Sequence, residues 1–242
     1  MRISRIYLPD ADSPGTQLPL SEGAHGHLVR VLRLGDGAPV EVFNGRGERF
    51  SATLADVSKR SASVSLAQQL EPVAPSPLAT HLGLAMSKGD RMDIALQKAT
   101  ELGVSEITPL TSERCDLRLK ADRQDKKQQH WQGVITSACE QCGQDTLPVL
   151  NPITSLHDWA STRQQPLKLV LHTAAQRPGW PGEAPESVAF LVGPEGGLTD
   201  DEVAYAQQQG FQSWQLGHRI LRTETAPLAM LAILQHRWGD LS

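Results

Sequence analysis

Cysteine is scarce in this chain: Cys115, Cys139 and Cys142 are the only three among 242 residues. An odd, sparse set builds no disulfide framework and fits a reducing compartment, so a cytoplasmic location is expected. An excess of positive charge is also lacking. Lys and Arg total 23 against 27 Asp and Glu, for a net charge of −4, which excludes a globally basic nucleic-acid binder and leaves room only for local basic surfaces. No apolar run approaches the length of a membrane span. The opening MRISRIYLPD carries Arg2 and Arg5 but no apolar stretch after them, unlike a signal peptide. There is no internal repeat of fixed period.

Hydrophobic residues make up 39% and charged residues 21%, an ordinary globular balance for one large domain or two modest ones. The composition changes at QLEPVAPSPLA (69–79), where Pro72, Pro75 and Pro77 alternate with small residues. Such a run suits an extended linker. The expected division is 1–71, a linker over 72–79, and 80–242. Before the seam the pattern is short and β-like. Residues 40–43 alternate, Asn44-Gly45-Arg46-Gly47 turns, and 49–54 resumes, which is a hairpin signature. Residues 62–66 offer another strand. Leu28, Val31 and Leu32 fall at helical spacing between 22 and 34. A small β-rich domain, a barrel, is expected. After the seam, strands at 81–86, 106–110, 167–171, 188–192 and 212–216 alternate with helices at 90–102, 121–142, 199–209 and 224–237. That alternation predicts an α/β fold with a largely parallel sheet.

Two loops stand where ligands bind in open parallel sheets, beyond the carboxyl ends of strands. The first is GPEGGL (193–198), followed by Thr199 with Glu202 three residues on, a capping box that starts a helix. It contains no lysine and carries Glu195, which would repel a phosphate. A ligand with hydroxyls, an adenine and a positive centre suits it better, and S-adenosylmethionine has all three. The second loop runs from Leu216 to Ala226. Gly217 permits a tight turn, Ile220 and Leu221 can wall an adenine, and Thr223 can cap the last helix. A glycine turn between strand and helix is common in proteins that bind nothing there.

LVGPEGGLTDDEV (191–203) followed by LGHRILRTETA (216–226) closely resembles the RsmE family of ribosomal RNA methyltransferases, of the SPOUT class. AMSKGDRMDIALQKATELGV (85–104), TSERC (111–115) and SACEQCGQ (137–144) extend the resemblance over essentially the whole chain. It implies an N-terminal PUA-like β-barrel that binds RNA and a C-terminal SPOUT domain whose parallel sheet carries a trefoil knot. It also implies a homodimer, S-adenosylmethionine as methyl donor, and methylation of uridine N3 in small-subunit (16S) ribosomal RNA. Carried over by position, the donor contacts are Leu171, His172, Gly193, Glu195, Gly196, Leu216, Gly217, Ile220, Leu221 and Arg222, with Thr223 and Ala226 close by. The chain departs from the family pattern at His218, where proline is usual, and at Pro227.

Uridine N3 holds a proton at neutral pH, so the reaction implied needs a proton acceptor, a cation for the charge developing on O2 or O4, and in-line alignment. Arg222 and Arg114 are the candidate cations, against a salt bridge to Glu224 or a helix-end contact for the first and a solvated loop arginine for the second. Glu140 and Glu195 are the candidate acceptors, with loss of the proton to water as the alternative. For RNA, Arg2, Arg5, Arg30, Arg33 and Arg46 in the first part and Lys88, Arg91 and Lys126 in the second are the candidate contacts. Cys139 and Cys142 share one helix face and read as structural, and no metal site is expected. A non-catalytic RNA-binding protein, or a SPOUT enzyme acting at another RNA position, remain the rival readings.

Overall fold

The computed structural model describes residues 3–115, 121–173 and 179–241. The chain divides into two compact units, Met1–Pro75 with Thr136–Leu147, and Ser76–Ile135 with Pro148–Ser242.

The first unit is a mixed sheet of β1 (Ser4–Tyr7), β2 (Gln17–Pro19), β3 (Pro39–Phe43), β4 (Arg49–Ala55) and β5 (Ser63–Leu70), ordered β1-β3-β4-β5-β2. β1 runs parallel to β3, and the other pairs are antiparallel. Alternate residues Val40, Val42, Phe50, Ala52, Leu54, Val64 and Leu66 turn inward onto Ile6 and Leu28, as the two-residue period of strands requires. The hairpin between β3 and β4 turns at Asn44, whose Oδ1 accepts from the N–H groups of Arg46 (2.9 Å) and Glu48 (3.3 Å).

The helical segment differs from its periodicity. A short helix α1 (Glu22–His25), capped by Ser21 Oγ, passes into a π-helical stretch at Gly26–Val31, where the Leu32 N–H bonds the His27 carbonyl at 3.0 Å. Wider winding turns each residue through a smaller angle, so the three apolar side chains lose their common face. Leu28 is buried, whereas Val31 is 69% and Leu32 42% exposed.

The segment 136–147, which the sequence pattern assigned with the C-terminal part, belongs to this first unit. Asp145 is buried there. Its carboxylate pairs with Arg5 Nη2 at 2.7 Å and accepts from the Val73 N–H at 2.8 Å. Arg5 also lies 2.9 Å from Glu41 and over the Phe43 ring. Arg5 is therefore an internal ion-pair residue and not the RNA contact expected of it. A basic residue near a chain start gives no sequence sign of a carboxylate 140 positions away.

The second unit contains β6 (Ala79–Ala85), helix α2 (Asp90–Glu101), β7 (Glu106–Thr111), and helix α3 (Ala121–Cys142), whose last turns belong to the first unit. It continues with β8 (Val149–Leu150), β9 (Thr154–Ser155), helix α4 (Leu156–Ser161), β10 (Leu167–Leu171), β11 (Ser187–Val192), helix α5 (Asp200–Gln208), β12 (Gln212–Trp214) and helix α6 (Thr225–Trp238). The seven strands form one sheet, ordered β12-β10-β11-β6-β7-β8 with β9 also beside β7, and every pair is parallel. Continuous burial along β6 and β11 is what a parallel sheet covered on both faces requires.

Candidate functional site

β10 lies between β11 and β12 in the sheet, so three neighbouring strands deliver their carboxyl ends to one edge. The segments that follow line a cavity of about 650 Å³. Leu171 ends β10 and His172 follows it. Gly193, Glu195 and Gly196 come after β11. Leu216, Gly217, Ile220, Leu221, Arg222, Thr223 and Ala226 come after β12. Every donor contact carried over from the family pattern lies on this one cavity. Arg114 lines it too.

Local structure explains why each loop holds its course. Thr199 Oγ1 accepts from the Glu202 N–H at 3.2 Å, and the Glu202 carboxylate accepts from the Thr199 N–H at 2.9 Å. This capping box starts α5 directly after the glycine loop. Arg114 lies close over Gly196, donating to its carbonyl at 3.1 Å, and a Cβ on Gly196 would meet the arginine's own Cβ at 3.2 Å. Gly217 sits at φ +98°, a left-handed conformation that suits glycine.

The cap of the last helix differs from expectation. Glu224, not Thr223, is its N-cap residue, and no side chain caps it. The Arg222 carbonyl instead receives both the Thr225 and Ala226 N–H groups at 2.9 Å. Pro227 lies in the first turn of α6, where its missing N–H costs no helical bond. His218 is exposed and is not among the lining residues.

The electrostatics of the cavity are mixed. Arg91, Arg114, Arg219 and Arg222 face Glu195, Asp200 and Glu224. Arg91, expected on RNA, pairs with Glu195 at 2.8 Å. Partial burial of Glu195 favours its neutral form. Hydrogen bonds from its own N–H, the Arg91 guanidinium and the Lys88 N–H outweigh that and hold the carboxyl below the usual carboxylate range. The bond to Glu195, with the charge of Glu224 nearby, raises the pKa of Arg91 further. Among the described residues, Arg219 and Arg222 form no ion pair, so the expected alternative of an Arg222–Glu224 salt bridge is not the arrangement found. Ile220 is 83% exposed, an apolar side chain with its surface open beside the cavity.

Glu140 is not among the lining residues. It lies in the first unit, where its carboxylate accepts from the Tyr7 N–H at 3.1 Å, and burial pushes its pKa up. Its position late in a partly apolar helix pointed to an interface or a site; it is half-buried and accepts a strand N–H. Among the other candidate RNA contacts, Arg30 and Arg33 are exposed, and Arg46 donates to the Pro9 carbonyl at 2.8 Å. Lys88 and Lys126 are exposed and do not line the cavity. Arg2 lies outside the described residues. Sequence reasoning missed Asp200, Gln215 and Arg219 as lining residues. Arg219 lies in the same quoted loop as Arg222, and that shared loop was the available signal.

The cavity and its loops are those of a class of nucleic-acid-modifying enzyme. Residues 74–235 match the family model of the RNA methyltransferase domain, and residues 26–67 match that of the RNA methyltransferase PUA domain. The ribosomal RNA small subunit methyltransferase E of Buchnera aphidicola subsp. Schizaphis graminum is 34% identical over 245 residues, covering 100% of this chain and 99% of that one. A putative methyltransferase of Legionella pneumophila, solved with bound SAM, matches with a TM-score of 0.93 at 39% identity. The ribosomal RNA small subunit methyltransferase E of Neisseria gonorrhoeae, bound to S-adenosyl methionine, matches with 0.91 at 37%. Both alignments cover 100% of each chain. The chain belongs to the ribosomal RNA small subunit methyltransferase E family.

Proposed function

We propose that this protein methylates N3 of a uridine in small-subunit ribosomal RNA, with S-adenosylmethionine as donor. The observation that carries the reading is the convergence of the loops after β10, β11 and β12 on one cavity. A volume of about 650 Å³ falls within the range of small-molecule sites, and the lining fits the donor. Among the described residues no lysine lines it, and the backbone of two glycine loops is open to an adenine. Ile220 and Leu221 offer apolar surface, and Glu195 is a charged acceptor beside the site of a cationic ligand.

Bound there, S-adenosylmethionine supplies a methyl group already activated by its sulfonium. The residues of the chain have three tasks. The loop backbones orient the donor. Arg222, with Arg114, stabilises negative charge on the uracil oxygens as the N3 proton leaves. The apolar wall excludes water. Among the described residues, the carboxylates on the cavity are Glu195, Asp200 and Glu224, and the bond to Arg91 weakens Glu195 as a proton acceptor. Because N3 lies on the pairing edge, the uridine must enter unpaired. The expected trefoil knot belongs to this reading, with 193–198 and 216–224 as its crossings. So does a homodimer packed through the knot region, to which α6, with Leu228 and Ile233 only half-buried in the single chain, can add apolar surface.

The test is calorimetric titration with S-adenosylmethionine, combined with mass spectrometry of 16S ribosomal RNA from a strain lacking the gene. Saturable binding and a missing N3-methyluridine are expected, with light scattering at twice the chain mass. An unchanged mark removes the assignment of the base, and no donor binding removes the reading altogether.

A further inference from the structure

The Glu202 side chain does more than cap a helix. In a capping box one carboxylate oxygen accepts from the N-cap N–H, and the other is free to face solvent. Here Oε2 takes the Thr199 N–H at 2.9 Å, while Oε1 accepts from the N–H of Glu113, 89 positions away, at 2.9 Å. The residue is 1% exposed, and burying a carboxylate costs free energy unless its oxygens are satisfied. Glu113 immediately precedes Arg114, whose guanidinium donates to the Gly196 carbonyl on the cavity. On the other side of Arg114, Cys115 is buried, and its thiol donates to the Met86 carbonyl at 3.0 Å, just past the end of β6. Arg114 is thus carried between two anchored residues, and one anchor is a carboxylate rooted at the start of the helix that follows the glycine loop.

We infer that Glu202 is a positioning residue for methyl transfer, holding the 111–115 loop against the glycine loop so that the Arg114 guanidinium stays on the cavity. This rests on the reading of the cavity as a methyltransferase site. Gln in its place keeps one accepting oxygen and turns an NH₂ toward the second N–H, so the loop or the cap loses its bond.

The test measures donor Kd, kcat and amide hydrogen exchange at Glu113 in the full-length protein and in Glu202→Gln, Arg114→Ala and the double variant. Glu202→Gln is expected to lower kcat roughly ten- to a hundredfold, leave donor Kd within about twofold, speed exchange at Glu113, and add nothing beyond about twofold in the Arg114→Ala background. Thr199→Ala, which weakens the cap but spares the Glu113 N–H bond to Glu202 Oε1, keeps kcat. Where Glu202→Gln folds poorly, Glu202→Asp, which retains the charge but is one methylene too short to reach Glu113, carries the same expectation. A kcat unchanged by Glu202→Gln or Glu202→Asp overturns the inference, as does a full further loss in the double variant. If Arg114→Ala itself leaves transfer intact, the assigned role of Arg114 fails first, which separates the two failures.

Discussion

The two ends of the C-terminal sheet are built on opposite terms. At the carboxyl ends of β10, β11 and β12, polar groups surround open space, and Arg219 and Arg222 form no ion pair among the described residues. Near the amino ends of β6 and β7 the polar groups close on one another. His81 Nδ1 lies 2.6 Å from Arg163 and 2.8 Å from Glu106, while Nε2 lies 2.9 Å from Thr108 Oγ1. The Trp159 ring meets the imidazole edge to face at 5.6 Å and packs so close to Gly83 that a Cβ there would come within 2.6 Å of it. Burial, and then the charge of Arg163, lower the His81 pKa to about 3. The imidazole is therefore neutral, with Nδ1 set between the Arg163 guanidinium and the Glu106 carboxylate. One end satisfies its own polar groups and holds the sheet together. The other leaves Arg219 and Arg222, among the described residues, without an ion pair around open space.

That contrast can be broken from either side. The largest effect is expected at the closed end. Trp159→Ala removes a side chain that is 2% exposed and should cost about 3–5 kcal/mol of unfolding free energy. Measured by urea denaturation, it should leave donor affinity of the folded protein unchanged. A variant that lost donor affinity at full stability would show that the two ends are not separate. Next comes Arg222→Ala at the open end, expected to lower kcat on the order of a hundredfold, or about 3 kcal/mol of transition-state stabilisation, with no change in urea midpoint. A stability loss of that size would make Arg222 part of the scaffold.

A third effect, small near neutrality and growing as pH falls, sharpens the comparison through pH. Above pH 6.5, His81 is neutral in both folded and unfolded chains. As pH falls from 6.5 toward 3, the unfolded chain takes up a proton that the folded one refuses. Stability should therefore drop with a slope approaching 1.4 kcal/mol per pH unit from this group. Unfolding curves of the wild type and His81→Gln across that window should differ in slope, and equal slopes would refute the neutral imidazole.

The sequence made the open end more legible than the closed one, and the reason is locality. Glycine turns, a capping box and an apolar run are written in consecutive residues, so 191–203 and 216–226 marked their loops directly. β10, β11 and α5 follow from runs and spacing in the same way. The closed end is assembled from His81, Glu106, Thr108, Trp159 and Arg163, and none of these is remarkable beside its chain neighbours. α4 (Leu156–Ser161) spans too few residues to display a period, and β8 and β9 have two residues each. In the first unit, β1 escaped notice because only Ile6 of its four residues is buried. The spacing of Leu28, Val31 and Leu32 suggested a face that the π winding removed. The second bond of Glu202 lay beyond any local pattern, since its partner is in another loop.

The division of α3 between the units has a consequence for how such a protein can be recombined. The proline-rich seam looks like a natural breakpoint, yet the N-terminal unit is not contiguous in the gene. A cassette ending at residue 75 would carry Arg5 and Arg49 away from Asp145, which lies 2.7 and 3.7 Å from them. Both arginines would keep Glu41 but lose the buried carboxylate they share with it, and the Val73 N–H would lose its acceptor. Shuffling at the seam is therefore discouraged.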